Sequence, residues 1–205
     1  SAKPGNEFVI KRIYKAFNDI GYVIRKDDLL KKAVFSSYDY NVPQDRKRVI
    51  IFGVNKEYEN LLEVFYEKLD FNKSEEKVNV REAISFLPKF YPLDEPYKIG
   101  NRNYSHKCES ENNINLHEAR YNNKRDIEIF RKWISNNMNY YPNIDKLAFY
   151  EKEVGKKTNH NKYRNLEWDK PSPTIVSHLY KDGLMFIHPD INQLRSITVR
   201  ESALL

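Results

Sequence analysis

Arg48-Val49-Ile50-Ile51-Phe52-Gly53-Val54 is a short apolar run behind a cation, and its reading decides the fold. It is rich in β-branched residues and shorter than a buried helix, which favours a strand covered on both faces. Strands of that kind belong to α/β sheets flanked by helices. Helical patterns stand on either side of the run. Ile10, Ile13, Phe17 and Ile20 recur at helical spacing over residues 8 to 20, and Gly21 follows where a C-cap falls. Leu61, Leu62, Phe65 and Leu69 repeat the pattern over residues 56 to 69. Tyr22-Val23-Ile24 and Ala33-Val34-Phe35 read as further strands. The expected class is α/β.

Downstream, Asn79 is placed to cap a short helix from Val80 to Phe86, ended by Pro88. Residues 89 to 116 are rich in Pro, Asn, Tyr and charge, and they read as a boundary followed by a loop-rich region. Ile127, Phe130, Ile134 and Met138 mark a helix over residues 124 to 138. Residues 150 to 170 are polar and basic, and residues 173 to 189 mix strand-like pieces with a turn at Lys181-Asp182-Gly183. Thr198 and Glu201 have the spacing of a capping box.

Composition narrows the class without naming a function. The chain has 205 residues, a formal charge of +6 and a pI near 9.1, a balance that favours a polyanionic partner. Aromatics reach 14%, with 15 Tyr, a residue that serves nucleic-acid surfaces and cores alike. One cysteine, Cys108, excludes a disulfide framework within the chain and points to a reducing, cytoplasmic setting. No apolar stretch approaches the ~20 residues of a membrane span. His106, Cys108 and His117 fit no standard zinc spacing, so no metal is expected. His160-Asn161 is a weak nuclease match in a basic stretch, and Cys108 lacks the surroundings that activate a thiol.

The chemistry concentrates at Tyr40-Asn41-Val42-Pro43-Gln44-Asp45-Arg46-Lys47-Arg48. Arg46 and Arg48 are two apart, so on a strand they point the same way. Two parallel guanidinium groups suit a phosphate or a polar base edge, because each offers planar, bidentate donors. Spacing alone is equally compatible with a solvated basic turn.

A family resemblance separates these readings. Gln44-Asp45-Arg46-Lys47-Arg48 after Val42-Pro43 resembles the Gln-x-Arg-x-Arg motif of DNA cytosine-5 methyltransferases. Asn41 stands where that family usually has Gly, and Asn is the next residue best suited to positive φ. Val80-Arg81-Glu82-Ala83-Ile84-Ser85-Phe86-Leu87-Pro88 is similar to the family's following helix, and His117-Glu118-Ala119-Arg120 to its variable region. Trp168-Asp169-Lys170-Pro171-Ser172-Pro173-Thr174-Ile175 resembles the Pro-x-Pro-Thr segment, and Arg195-Ser196-Ile197-Thr198-Val199-Arg200-Glu201 the Arg-x-Leu-Thr-x-Arg-Glu motif. These segments follow the family's order along nearly the whole chain. They cover only the later half of its pattern: no Phe-x-Gly-x-Gly loop, Pro-Cys or Glu-Asn-Val is present. Leu204 replaces a usual Arg.

The resemblance implies a partial doubly wound, Rossmann-like methyltransferase sheet, then a small irregular α+β target-recognition domain. Residues 1–88 would be the C-terminal part of the catalytic domain and 89–190 the recognition domain. Residues 191–205 would be a closing motif returning to the catalytic domain, cut short. It implies a fragment or subunit of a bacterial restriction-modification enzyme that is inactive alone, with double-stranded DNA and a missing N-terminal half as partners. S-adenosylmethionine would serve the complete enzyme, with none expected on this piece. Arg48 would reach the flipped cytosine or its phosphate, with Arg46 and Gln44 supporting it, and Thr174 would contact the DNA backbone. Arg195, Thr198, Arg200 and Glu201 would hold the closing segment. Charge placement alone adds Arg102, Arg120, Lys156, Lys157, Lys162 and Arg164 as candidates for DNA contact. The alternative is a stand-alone, sequence-specific DNA-binding module without catalysis. A tRNA substrate within the same family is a further possibility. Half a sheet would leave an exposed apolar edge and favour dimerisation.

Overall fold

Helix α1 (Val9–Asp19) turns Ile10, Ile13, Tyr14 and Phe17 toward the protein and its lysines toward solvent. Gly21 ends it at φ 81°, with its N–H donating to the Asn18 carbonyl, as the sequence predicts. The computed structural model describes residues 8–25 and 33–205. The chain divides into two compact units, Ser1–Lys77 and Val78–Leu205. Mixed α/β structure runs through both.

In the first unit, β1 (Tyr22–Ile24) pairs antiparallel with β5 (Gly53–Asn55), and β2 (Val34–Ser36) with β4 (Lys47–Val49). A two-residue extended piece, β3 (Gln44–Asp45), precedes β4. Helix α2 (Leu61–Phe71) buries Leu62 and Tyr66 against Ala33, Phe35 and Val54. Phe52 and Phe65 stack beside this core with ring centroids 3.9 Å apart.

The single buried strand expected over Arg48–Val54 does not form. It breaks into β4 and β5, and residues 50 to 52 belong to neither. Val49 is 55% exposed, while Ile50, Ile51 and Phe52 are half-buried. The cause is a side chain. The Tyr66 hydroxyl donates to the Ile50 carbonyl at 2.9 Å and accepts from the Phe52 N–H at 3.2 Å. It thus satisfies backbone groups that a neighbouring strand would otherwise pair. Gly53 follows because a Cβ there would stand 2.5 Å from the Phe17 ring.

The second unit begins with α3 (Val80–Ile84), held by a reciprocal capping box between Asn79 and Glu82. The predicted loop region is instead a hairpin, β6 (Phe90–Ile99) and β7 (Arg102–Cys108), closed by Gly100 and Asn101. Its ladder shifts register between Pro92 and Tyr97, so the prolines that suggest a loop occupy the irregular stretch. Helix α4 (Lys124–Ser135) buries Ile127, Ile129, Phe130 and Trp133. Helix α5 (Asn143–Val154), which the periodicity does not announce, runs into the polar, basic stretch that starts at residue 150 and is ended by Gly155 at φ 74°. Its polar surface hides the periodicity, and it buries no residue fully. β8 is a two-residue piece, Ser172–Pro173.

The turn expected at Lys181-Asp182-Gly183 is helical: α6 (Leu179–Asp182) runs into a 3-10 turn, Gly183–Met185. Residues 186 to 188 then run extended between residues 164–166 and 195–197. The Ile187 N–H donates to Arg164 at 3.0 Å, and the Ile197 N–H to Phe186 at 3.0 Å. The closing helix α7 (Val199–Leu204) carries the predicted Thr198–Glu201 capping box. Leu205 and Ile197 share a core with Val80, Ile84 and Leu87, so the chain's end packs on the unit's start.

Candidate functional site

In the first unit, the loop from Ser36 to Arg48 is built around two serines. Ser37 Oγ donates to the Gln44 carbonyl at 2.5 Å and accepts from the Arg46 N–H at 3.2 Å. The Ser37 N–H returns to the Arg46 carbonyl at 3.2 Å. Ser36 Oγ donates to Asp45 at 2.6 Å and accepts from the Tyr38 N–H. After the serines, at the end of the turn Ser37–Tyr40, Asn41 takes φ 62°, ψ 29°, the left-handed conformation expected of a residue replacing Gly. Asp39 anchors the loop to the unit by accepting from Lys77 at 3.1 Å and from the Ser74 N–H at 2.8 Å.

This frame presents Arg46 and Arg48 to solvent. Arg48 Nη1 donates to the Lys47 carbonyl at 2.7 Å. Among the described residues no carboxylate lies in ion-pair range of either guanidinium; Asp45 stands 4.0 Å from Lys47. Gln44 is half-buried. The loop therefore holds two charged, planar donor groups on a serine-braced backbone, with no ion-pair partner among the described residues. Ser36 and Ser37 were not foreseen as its scaffold. Their placement just before a turn was the available signal, since Ser side chains bond nearby backbone groups.

In the second unit the closing motif is a buried ionic network. Arg195 is fully buried and makes a bidentate pair with Glu201, Nη1–Oε2 2.7 Å and Nη2–Oε1 2.6 Å. Gln193 Oε1 accepts from Arg195 Nε and Nη2 and from the Phe90 N–H. Glu201 also accepts from the Thr198 N–H at 2.7 Å. Thr198 Oγ1 lies 3.0 Å from His117 Nδ1, whose Nε2 reaches the Pro88 carbonyl at 2.8 Å. His106 Nε2 meets the Gln193 carbonyl at 2.9 Å, and His188 Nε2 stands 3.6 Å from Glu201. Burial by itself would raise the Glu201 carboxyl, but Arg195 more than reverses this and holds it down at about 2. Burial, aided by Arg195, lowers His188 to about 3 and His106 to about 4, so both rings stay neutral. Arg200 lies outside this knot, with Nε donating to the Asn115 carbonyl at 3.0 Å.

The remaining predicted cations scatter over the second unit. Arg102 sits on β7, ion-paired with Glu118, its guanidinium 5.2 Å from the Tyr104 ring centre. Arg120 is half-buried and turned inward: Nη1 donates to the Leu179 carbonyl. Burial lowers its pKa, so it is a structural cation more than a surface one. Lys156 and Lys157 are exposed just past α5, with Lys157 3.8 Å from Glu151. Lys162 is hydrogen-bonded to His160, and Arg164 is partly exposed, though burial lowers its pKa as it does that of Arg120. Thr174 is half-buried just after β8. The exposed hairpin tip, with Tyr97 and Tyr104 stacked 5.1 Å apart, escaped the sequence reading. Gly100-Asn101 between two β-rich runs was the signal for it.

Comparisons with known proteins bear on both units. A family model for C-5 cytosine-specific DNA methylase matches residues 2–205. The type II methyltransferase M.Bpa9945I of Bacillus paralicheniformis is 31% identical over 99% of this chain and 48% of its own length. M.PspPI of a Psychrobacter species is 28% identical over 93% of the chain and 39% of its own length. M.AgeI of Thalassovita gelatinovora is 51% identical over 21% of the chain. The chain thus spans less than half the length of these relatives. No solved structure matches it.

Proposed function

Because the chain belongs to the C-5 cytosine-specific DNA methylase family, we propose that it supplies DNA recognition and cytosine positioning for methylation at C5. Residues 1–88 serve as the tail of a doubly wound catalytic domain, residues 89–190 as the target-recognition domain, and residues 191–205 as the returning segment. A cytosine flipped from the duplex, at a cost of a few kcal/mol, is received beside Arg48. Arg48 contacts the cytosine or its phosphate, and Arg46 and Gln44 hold the loop that carries it. Thr174 contacts the DNA backbone from the second unit. Lys156, Lys157, Lys162 and Arg164 add charge toward phosphate.

One observation carries this reading: Arg46 and Arg48 stand exposed on a serine-braced loop, with no carboxylate partner among the described residues. Two guanidinium groups held that way have donors ready for an anion or a base edge.

Methylases of this family take the methyl group from S-adenosylmethionine. The residues described here do not form a cradle for it. Gly21, Gly53, Gly100, Gly155 and Gly183 stand singly, and Gly53 is small because the Phe17 ring lies against it. The partner supplying the cofactor is taken to be further methyltransferase sequence, in the same chain or another subunit.

Arg48→Ala, placed in the complete enzyme, is expected to lower methyl transfer to duplex DNA on the order of a hundredfold, the effect of losing one well-placed charged donor. Near-normal turnover refutes the assignment. Methyl transfer without any added sequence, or duplex binding without transfer, separates a catalytic chain from a pure DNA-binding module.

A further inference from the structure

The β6–β7 hairpin does not end where the core ends. Phe90, Ser105 and His106 are buried, while every residue from 97 to 103 is exposed. Tyr97 is 45% exposed and Ile99 63%. The two-residue turn at Gly100, φ 55°, keeps the ribbon narrow. Cross-strand pairing sets Tyr97 opposite Tyr104 and Ile99 opposite Arg102, so these four side chains share one face. The two tyrosine rings are stacked, with planes 9° apart. Arg102 lies over the second ring and is braced by Glu118. Residues 96 to 104 contain Lys98 and Arg102 and no acid, and the carboxylate that meets Arg102 comes from Glu118 outside the hairpin.

We infer that this tip is a base-reading arm: the ribbon enters the major groove and Arg102 donates two parallel hydrogen bonds to a guanine. The inference rests on the proposed DNA-recognition role and assigns it to one element. The major groove admits a two-stranded ribbon, and a guanine presents O6 and N7 as adjacent acceptors there. An arginine meets them only if its plane is held. Glu118 engages Nη1 and the Tyr104 ring lies against the guanidinium, which restrains rotation and lowers the entropy lost on binding. The neighbouring carboxylate also disfavours plain phosphate tracking, because it offsets charge while leaving directional donors. Glu118 is accordingly a positioning residue, and Arg102 the reader.

The test uses the full chain and a pool of duplexes with randomised cores, sequenced before and after retention. Wild type is expected to enrich a motif containing a guanine. Arg102→Ala is expected to lose preference at one base pair, roughly tenfold to a hundredfold, with other positions unchanged. Arg102→Lys keeps the charge, so it should retain duplex affinity and its salt dependence while losing the same base preference. Glu118→Gln should weaken that preference without abolishing retention. Enrichment of an unchanged motif by Arg102→Ala, or full preference in Arg102→Lys, overturns the hairpin assignment and leaves DNA recognition standing. Failure of the wild-type chain to retain any duplex sinks DNA recognition and the hairpin role together.

Discussion

Glu201 completes the Thr198 capping box and neutralises a fully buried guanidinium. Its two oxygens face Arg195 Nη1 and Nη2, and one of them also takes the Thr198 N–H. Removing it leaves a cation in a site that is 0% exposed. Breaking one partner of such a pair costs about 3–5 kcal/mol, whereas replacing both with apolar residues is often tolerated. Glu201→Ala is therefore expected to lower unfolding free energy by roughly that amount in urea melts. The double change Arg195→Met with Glu201→Leu should recover part of it; equal loss in both would mean the pair adds nothing specific. By contrast, Arg46 and Arg48 are exposed with no ion-pair partner among the described residues, and their substitution should leave the same melts unmoved.

At the level of elements, the interrupted strand between β4 and β5 shows how one hydroxyl redirects a backbone. Tyr66 is completely buried, and its oxygen serves both Ile50 and Phe52. Tyr66→Phe keeps the ring, its contact with Phe65 and its place against Arg25, whose guanidinium lies 4.0 Å from the ring centre. It strands one carbonyl and one N–H in a partly buried place. The expected loss is about 1–3 kcal/mol, read from urea midpoints, with increased amide exchange at Phe52. Unchanged exchange there would mean water replaces the hydroxyl freely. On the β2–β4 ladder the paired Val34 and Val49 are both exposed.

Across the second unit, His106 and His188 sit in one ionic knot, and this sets its response to acid. His188 and His106 are lowered to about 3 and about 4 in the fold, against 6.5 ordinarily. The unfolded chain therefore binds these protons first. Stability is full above pH 6.5 and falls as pH drops toward 4 and then 3, by about 1.4 kcal/mol per pH unit for each histidine. Glu201, depressed to about 2, adds a further loss below the ordinary carboxylate range. Thermal melts across pH should decline from near pH 6.5, and His188→Gln should flatten that decline. A flat profile down to pH 4 would show that the rings are protonated in the fold.

Local chemistry settled the pieces whose causes lie within a few residues. Gly21 ends α1, Asn79 and Thr198 cap helices, Asn41 accepts positive φ, and the order of motifs identifies the family. These follow from backbone sterics and short-range hydrogen bonds, which a sequence displays directly. Packing across distant segments decided the rest. Tyr66 split an apolar run that reads as one strand, because a hydroxyl from a helix reached its backbone. Helix α5 formed without burying a residue, and a hairpin formed around prolines because its register could shift. Arg120 turned inward while Arg46 and Arg48 stayed out, though all three are the same residue, because what surrounds a guanidinium is set by the folded chain and not by its neighbours in sequence.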